Sequence, residues 1–462
     1  KNSIFVFIGF LIYRLVDFVI KVLINKYWGL ESLGIYNTII VSLLILSPFI
    51  LMGMHVAAKK FISTEYSNVF LIRKIIFFSL SMILFNSLFI CLLILFIGLP
   101  PLRDIISSNN GIITLFIVGL PLFCLNKLLV HYLEGLKLFF SSSLIDKIIK
   151  NLLFLIGLIF FIKFQFSLIF LLLLFISTLA FSNLLLFIRV LIGIRLKNSV
   201  KHQQIDSPGL KKKKFIYFSL PVMLHSLLYL SLTNVGVILA KLYIGNSGAG
   251  TYTAAHELAK GIGIFLAIIA PVFFTYISNL NQQKKFSTQF DLYGRVTNIL
   301  IQLTGPIFIL IILFPHEILN LFFNSNNISN DAVLALLILS LGYFIDVLIG
   351  PIDSFLNSIG KPNIVLRNSF IAFLLLAIIA IFSVNKFGII GISVATTIAI
   401  IVQNILGLIF ITRNKQRYKS FITGSILFKL IGLGGLLLLI SLLLTNAVFL
   451  IISILLVFAV YY

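Results

Sequence analysis

The chain predicts an all-α polytopic membrane protein with about 14 transmembrane helices, arranged as two pseudo-symmetric six-helix lobes plus two C-terminal helices. Three observations lead there. Of 462 residues, 60% are hydrophobic and only 10% are charged, and the mean hydropathy is +1.16. Soluble domains carry about 25% charged residues. Apolar stretches of the ~20 residues needed to cross a ~30 Å hydrocarbon core follow one another almost end to end. Short glycine–tyrosine motifs also recur at a fixed offset, once in each half of the chain.

The first six spans are expected near 4–25, 33–57, 73–98, 112–133, 144–162 and 167–190. Six more follow near 215–240, 252–278, 296–315, 331–355, 363–384 and 387–412, and a last pair near 424–444 and 447–462. The runs are continuous rather than alternating at every second residue, which argues against a strand barrel. Three lobes of sequence follow: 1–200, 208–412 and the extra pair 424–462, with the polar stretch 191–214 as linker. That stretch contains Pro208–Gly209 and the run Lys211–Lys214, as a linker between halves should. The first span is too long and too charged for a cleaved signal peptide.

The net charge of +22 suggests nucleic acid only until topology is considered. Alternate loops collect 24 basic residues, among them Lys59, Lys60, Lys147, Lys150 and Lys211–Lys214. The other set holds five: Lys26, Arg103, Lys163, Lys241 and Lys386. This asymmetry predicts that both termini of this inner-membrane-type protein are cytoplasmic. The basic loops are then topology determinants, and no nucleic-acid partner is expected. Cys91 and Cys124, the only cysteines, lie in apolar spans and read as small hydrophobes, forming neither disulfide nor metal site.

The repeat supports two related halves. Gly29-x4-Gly34-x-Tyr36 follows the first span, and Gly245-x4-Gly250-x-Tyr252 follows the seventh, at an offset of 216 in all three positions. Lys150–Asn151 and Arg367–Asn368 echo at 217. Six spans separate equivalent points, so the copies share orientation and the pseudo-axis runs along the membrane normal.

Ionisable groups within spans cost ~2.5–3.5 kcal/mol on insertion scales, so those present should face protein or water. Arg14, Asp17 and Lys21 lie on one face of the first span. There an Arg14–Asp17 pair would leave Lys21 as net charge. Lys127, His131 and Glu134 line the fourth span; Asp346, Gly350, Asp353 and Asn357 line the tenth. His256, Glu257 and Lys260 open the eighth. Lys21, Glu134, Asp353 and His256 lie near span ends, where headgroups are within reach. Arg14, Lys21 and Lys127 are the candidates for binding an anionic substrate. Asp17, Asp346 and Glu257 are the candidates for ion coupling. No Walker, HExxH or CxxC motif occurs, and no loop holds a large external domain. A catalytic site is therefore not expected, nor any cofactor beyond a coupled H+ or Na+.

Four segments carry a resemblance: YWGLESLGIYN (27–37), YFSLPVMLHSL (217–227), KLYIGNSGAGTYTAAHEL (241–258) and FLNSIGKPNIVLRNS (355–369). With the six-plus-six-plus-two layout, the chain resembles the O-antigen flippases (Wzx type). These form part of the polysaccharide transporter branch of the multidrug/oligosaccharidyl-lipid/polysaccharide (MOP) exporters. The resemblance implies a MATE-like fold and alternating-access movement of an undecaprenyl-pyrophosphate-linked oligosaccharide from the cytoplasmic to the periplasmic leaflet. It also implies a glycan polymerase and a chain-length regulator as candidate partners. Such families often place an Asp beside a basic residue on the first helix of the second half; here Asn234-Val235-Gly236 stands in that region. A MATE-like multidrug or cation exporter and a lipid II flippase remain as alternatives.

Overall fold

The computed structural model describes residues 2–64, 69–97, 110–164, 167–198, 212–323 and 329–413. Among them there is no strand. The first part runs α1 (Asn2–Leu51), α2 (Met54–Thr64), α3 (Val69–Ile97), α4 (Asn110–Gly135) and α5 (Phe139–Ser143). A π-helical turn (Leu144–Ile149) then leads into α6 (Lys150–Lys163), α7 (Leu168–Asn198) and α8 (Lys212–Ile244). The second part runs α9 (Asn246–Ile262), α10 (Ile264–Gln282), α11 (Phe286–Leu313), α12 (Pro315–Phe323), α13 (Asn330–Ile349), α14 (Ile352–Ser358) and α15 (Pro362–Arg413).

Nine helical stretches among the described residues are long and apolar enough to cross a membrane. Two of them hold two expected spans each. Gly29 (φ 81°, ψ 172°) breaks α1, and Gly388 (φ 52°, ψ −126°) breaks α15. The fifth expected span is assembled from the π turn and α6. The chain is thus an all-α, multi-pass membrane protein with its first twelve spans where the apolar runs lie. The expected pair at 424–462 lies outside the described residues.

The glycine repeat has the same backbone conformation in both copies. Gly245, between α8 and α9, sits at φ 95°, ψ −168°, close to the Gly29 values. A Cβ at either position would meet nothing within 4 Å. Positive φ alone selects glycine there. The second echo does not share a role. Asn151 donates to the carbonyls of Asp146 and Lys147, while Asn368 accepts from Arg367.

The chain divides into two compact units, Lys1–Leu242 and Tyr243–Tyr462. Inside the first, α4 is the central helix and packs on α1, α2, α3 and α7. Inside the second, α13 is central and packs on α9, α11 and α15. These are the fourth and tenth spans, again six apart. Helix α8 packs within the first unit, because Phe215 lies tilted against Phe61 and edge-on to Phe78, and Lys60 caps the Phe218 ring at 3.9 Å. At Gly53 (φ 70°) a Cβ would lie 2.1 Å from the Ser219 carbonyl oxygen, so the turn between α1 and α2 needs glycine twice over. Close helix approach elsewhere also uses small residues, as at Gly342 against Thr397.

Candidate functional site

Within the first unit, cations outnumber carboxylates around the packing of α1, α4 and the π turn. On α1, Lys21 Nζ donates to Asp17 Oδ2 at 2.9 Å, and the Lys21 side chain is only 7% exposed. The expected headgroup role for Lys21 is therefore replaced by an inward i,i+4 pair. Asp17 takes Lys21 as a partner, which the spacing allows as readily as the Arg14 pair that the sequence suggested. The stripe keeps one net positive charge in either case, two cations against one carboxylate.

The Arg14 guanidinium lies over the Phe10 ring, 5.4 Å from its centroid. Lys147 Nζ reaches the same ring at 5.3 Å. The π turn brings Lys147 there: Gly9 lets α1 lie against it, since a Cβ at Gly9 would fall 2.3 Å from Ser143 Oγ and 3.8 Å from Lys147 Cδ. Cation–ring contacts of this kind strengthen when the cation is desolvated. Asp146, on the same turn, pairs with Lys150.

Lys127, on α4, has a different environment. Its Nζ donates to Ser47 Oγ at 2.9 Å and lies 4.7 Å from the Phe123 centroid. No carboxylate is within 4 Å of Lys127 or Lys147 among the described residues. Asp146 acts electrostatically on Lys127, on Lys147 and on Tyr13, and Arg14, Asp17 and Lys21 also act on Tyr13. The α1 stripe, the π turn and Lys127 thus form one electrostatic neighbourhood. It holds Arg14, Lys21, Lys127, Lys147 and Lys150 against Asp17 and Asp146, with the Lys59–Glu134 pair also acting on Lys147. Such an excess in a low-dielectric setting suits a bound anion, to which Arg offers two hydrogen bonds and Lys a point charge.

Sequence reasoning placed Lys147 among loop charges that set topology, and it missed Ser47 and Phe10. A π turn has no apolar periodicity of its own, so the inward aim of Lys147 left no signal. The one hint was the i,i+4 spacing of Asp146 and Lys150. A separate cleft lined by Ile39, Leu43, Phe116, Gly119, Leu172 and Phe175 is apolar throughout, and no polar group converges there.

In the second unit, the break between α13 and α14 falls at Gly350 (φ 85°) and Pro351, with a carboxylate on each side. Asn404 Nδ2 donates to Asp346 Oδ1 at 2.9 Å, and Gln403 Nε2 donates to Asp353 Oδ2 at 2.7 Å. Asp353 Oδ1 is buried without a hydrogen-bond partner. Asp353 is therefore held inward by α15 and does not reach for headgroups. His256 likewise points inward, bonded through Nε2 to the Tyr343 hydroxyl at 2.8 Å. No cation pairs with Asp346 or Asp353 among the described residues. Glu257 is half-buried on α9. In the first unit, Glu134 meets Lys59 at 2.7 Å instead of standing alone at a span end. Among the described residues no group of three or more His, Cys, Asp or Glu could hold a metal ion.

Comparison with known proteins follows the same lines. The polysaccharide biosynthesis protein family matches residues 1–281, and the MatE family matches residues 221–382. No curated protein sequence matches significantly. Among solved structures, a lipid II flippase, MurJ, in an inward closed conformation aligns over 99% of this chain and 97% of its own, at 19% identity and a TM-score of 0.78. An inward-facing multidrug resistance MATE transporter of the MOP superfamily aligns over 91% of this chain and 100% of its own, at 16% identity and 0.65. A MOP superfamily transporter from Pyrococcus furiosus aligns over 90% and 95%, at 17% identity and 0.61. These neighbours are transporters and a flippase, not enzymes. With more than half its length matched by that family and its fold shared with these transporters, the chain belongs to the polysaccharide biosynthesis protein family.

Proposed function

We propose that this protein is a flippase that moves an undecaprenyl-pyrophosphate-linked oligosaccharide, of the O-antigen repeat-unit type, from the cytoplasmic to the periplasmic leaflet of a bacterial inner membrane. Both termini are cytoplasmic in this reading, as the loop charges suggest. The observation that carries it is Lys127, a cation held by a hydroxyl and a ring, with no carboxylate within 4 Å among the described residues, in a neighbourhood of excess positive charge. A diphosphate and its sugars cannot cross hydrocarbon without polar partners. Arg14, Lys21 and Lys127 serve the anionic head group here, while the prenyl chain stays in lipid. The family match and the likeness to a lipid II flippase support lipid-linked cargo. A glycan polymerase and a chain-length regulator would act on the product.

Ion coupling is assigned to Asp346. Asp17 is committed to Lys21, whereas Asp346 is held by a neutral amide at the edge of a helix break. Broken helices are recurrent cation sites in transporters. Asp346→Asn should remove the dependence of flipping on the H+ or Na+ gradient while membrane abundance stays normal; an unaltered dependence excludes the assignment.

The deciding experiment deletes the gene and asks where lipid-linked repeat units gather. Accumulation on the cytoplasmic face, relieved by the wild-type chain and not by an equally abundant Lys127→Gln variant, is the expected result. Unchanged glycan display in the deletion strain refutes the reading. The MatE match over 221–382 favours one competitor, a drug exporter. Drug sensitivity of the deletion strain, with normal surface glycan, would establish that alternative.

A further inference from the structure

Beside the cationic cluster, the packing of α4 on α1 and α2 in the first unit carries three polar rungs. Along α4 they are Lys127, His131 and Glu134, each about one helical turn from the next. On the first rung Lys127 bonds Ser47 of α1. On the second, the rings of His55 and His131 meet edge to face, with centroids 4.7 Å apart and planes at 86°. On the third, Lys59 pairs with Glu134, and the Lys59 side chain is 41% exposed. Gly135 permits this close approach, because a Cβ there would stand 3.0 Å from the Lys59 carbonyl oxygen.

The hydrogen bonds of the two imidazoles are unequal. His131 Nδ1–H donates to the Lys127 carbonyl oxygen at 2.7 Å. A carbonyl can only accept, so the neutral ring keeps Nε2 as its acceptor nitrogen. His55 is 9% exposed, and its Nδ1 is buried without a hydrogen-bond partner. The charged groups that act on the pair are Lys59 on α2 and Lys127 and Glu134 on α4; α1, α3 and α8 bring none among the described residues. Two imidazolium rings in contact repel, so the pair favours a single added proton.

We propose that His55 and His131 form a proton-binding pair that takes up a single added proton and couples its uptake to anion binding at Lys127. This inference rests on the anionic-cargo reading above. A positive charge gained one turn from Lys127 draws an anion more strongly, and by reciprocity the bound anion favours the proton. The Lys59–Glu134 rung gives the pair a route to water, in the manner of carboxylate and imidazole relays. The site is separate from Asp346 and Asp353, which lie in the other unit.

The test has two arms, both on full-length protein in detergent micelles. In the first, 15N-labelled histidines are titrated without ligand from about pH 8 to about pH 5, spanning the range of imidazole. His55→Gln and His131→Gln assign the signals. Uptake of one proton by the pair, sensed by both rings, is expected. Independent protonation of each ring, or of neither, overturns the proposal. In the second arm, a short-chain prenyl diphosphate linked to one N-acetylglucosamine is titrated calorimetrically in buffers of different ionisation heat. Binding should take up protons and be about fivefold or more tighter at the acid end, the lower bound of ordinary coupling. Both effects should vanish in His131→Gln and in His55→Gln, with binding at the alkaline end retained. Undiminished proton uptake in both variants defeats the proposal and leaves the cargo reading intact. Unaltered binding by Lys127→Gln defeats the cargo reading and the coupling with it, and the first arm then decides separately whether the proton site exists.

Discussion

At residue scale, buried Lys21 and half-buried Lys127 show that two inward lysines of one unit need not contribute to stability with the same sign. Lys21 neutralises Asp17 at 2.9 Å. Lys127 has no carboxylate within 4 Å among the described residues, and its contacts are Ser47 and the Phe123 ring, with Asp146 acting from farther off. Replacing Lys127 by Met removes an uncompensated cation and keeps the aliphatic stem, so the protein should unfold at the same or a higher temperature. Transport should be lost. Lys21→Met instead strands Asp17, and a broken buried pair typically costs about 3–5 kcal/mol. With Asp17 22% exposed, about 2 kcal/mol is the better expectation. Thermal unfolding in detergent, followed alongside flipping in proteoliposomes, separates the two cases. A Lys127→Met variant that is both less stable and fully active contradicts the anion-site assignment, because it makes the lysine a structural residue.

At the scale of elements, the breaks matter more than the helices. Gly29 and Gly245 need glycine for φ alone, with nothing within 4 Å of a Cβ. Gly53 and Gly350 need it for φ and for space, since a Cβ would lie 2.1 Å from the Ser219 carbonyl oxygen or 2.2 Å from Thr297 Oγ. Alanine should therefore cost about 1–3 kcal/mol at Gly29 and Gly245, and clearly more at Gly53 and Gly350. Melting temperatures of the four variants check the order; equal losses at all four would show that packing adds nothing to the φ requirement. The twelve described spans were legible because length and apolarity are properties of a contiguous string. Both repeat turns were legible because glycine there answers a local backbone need. The break at Met52–Gly53 was not, since it interrupts an apolar run and is stabilised by α8, more than 160 residues away in sequence. Partner choice was also hidden. Arg14 and Lys21 stand at i−3 and i+4 from Asp17, and spacing alone allows both, so the Lys21 pair emerges only from the rotamers. Gln403 and Asn404, which hold Asp353 and Asp346, carry no charge to mark them in the sequence.

At the scale of the whole molecule, the two units repeat a plan: a central helix, α4 or α13, with the others packed around it. The plan is the same, and the chemistry on it differs. The first unit gathers cations around Phe10, Ser47 and Phe123; the second gathers carboxylates with amide partners around a helix break. A duplicated scaffold with divergent interiors suits a transporter that handles an anionic head in one half and a cation in the other. That division has a topological consequence. If both halves share orientation, residues at offsets near 216 must face the same side of the membrane. Single cysteines at position 26 and position 241 should then react with an impermeant maleimide from outside, in a background where Cys91 and Cys124 are replaced by Ala. Cysteines at position 60 and position 284 should react only after the membrane is opened. Labelling of position 26 and position 241 from opposite sides would break the parallel repeat, and with it the argument that six spans separate equivalent points. Labelling of all four from outside would instead overturn the orientation that the basic loops imply. The position 284 measurement is the more demanding, because Lys284 sits at positive φ (56°) in the short turn between α10 and α11, where the reagent must reach a tightly folded backbone.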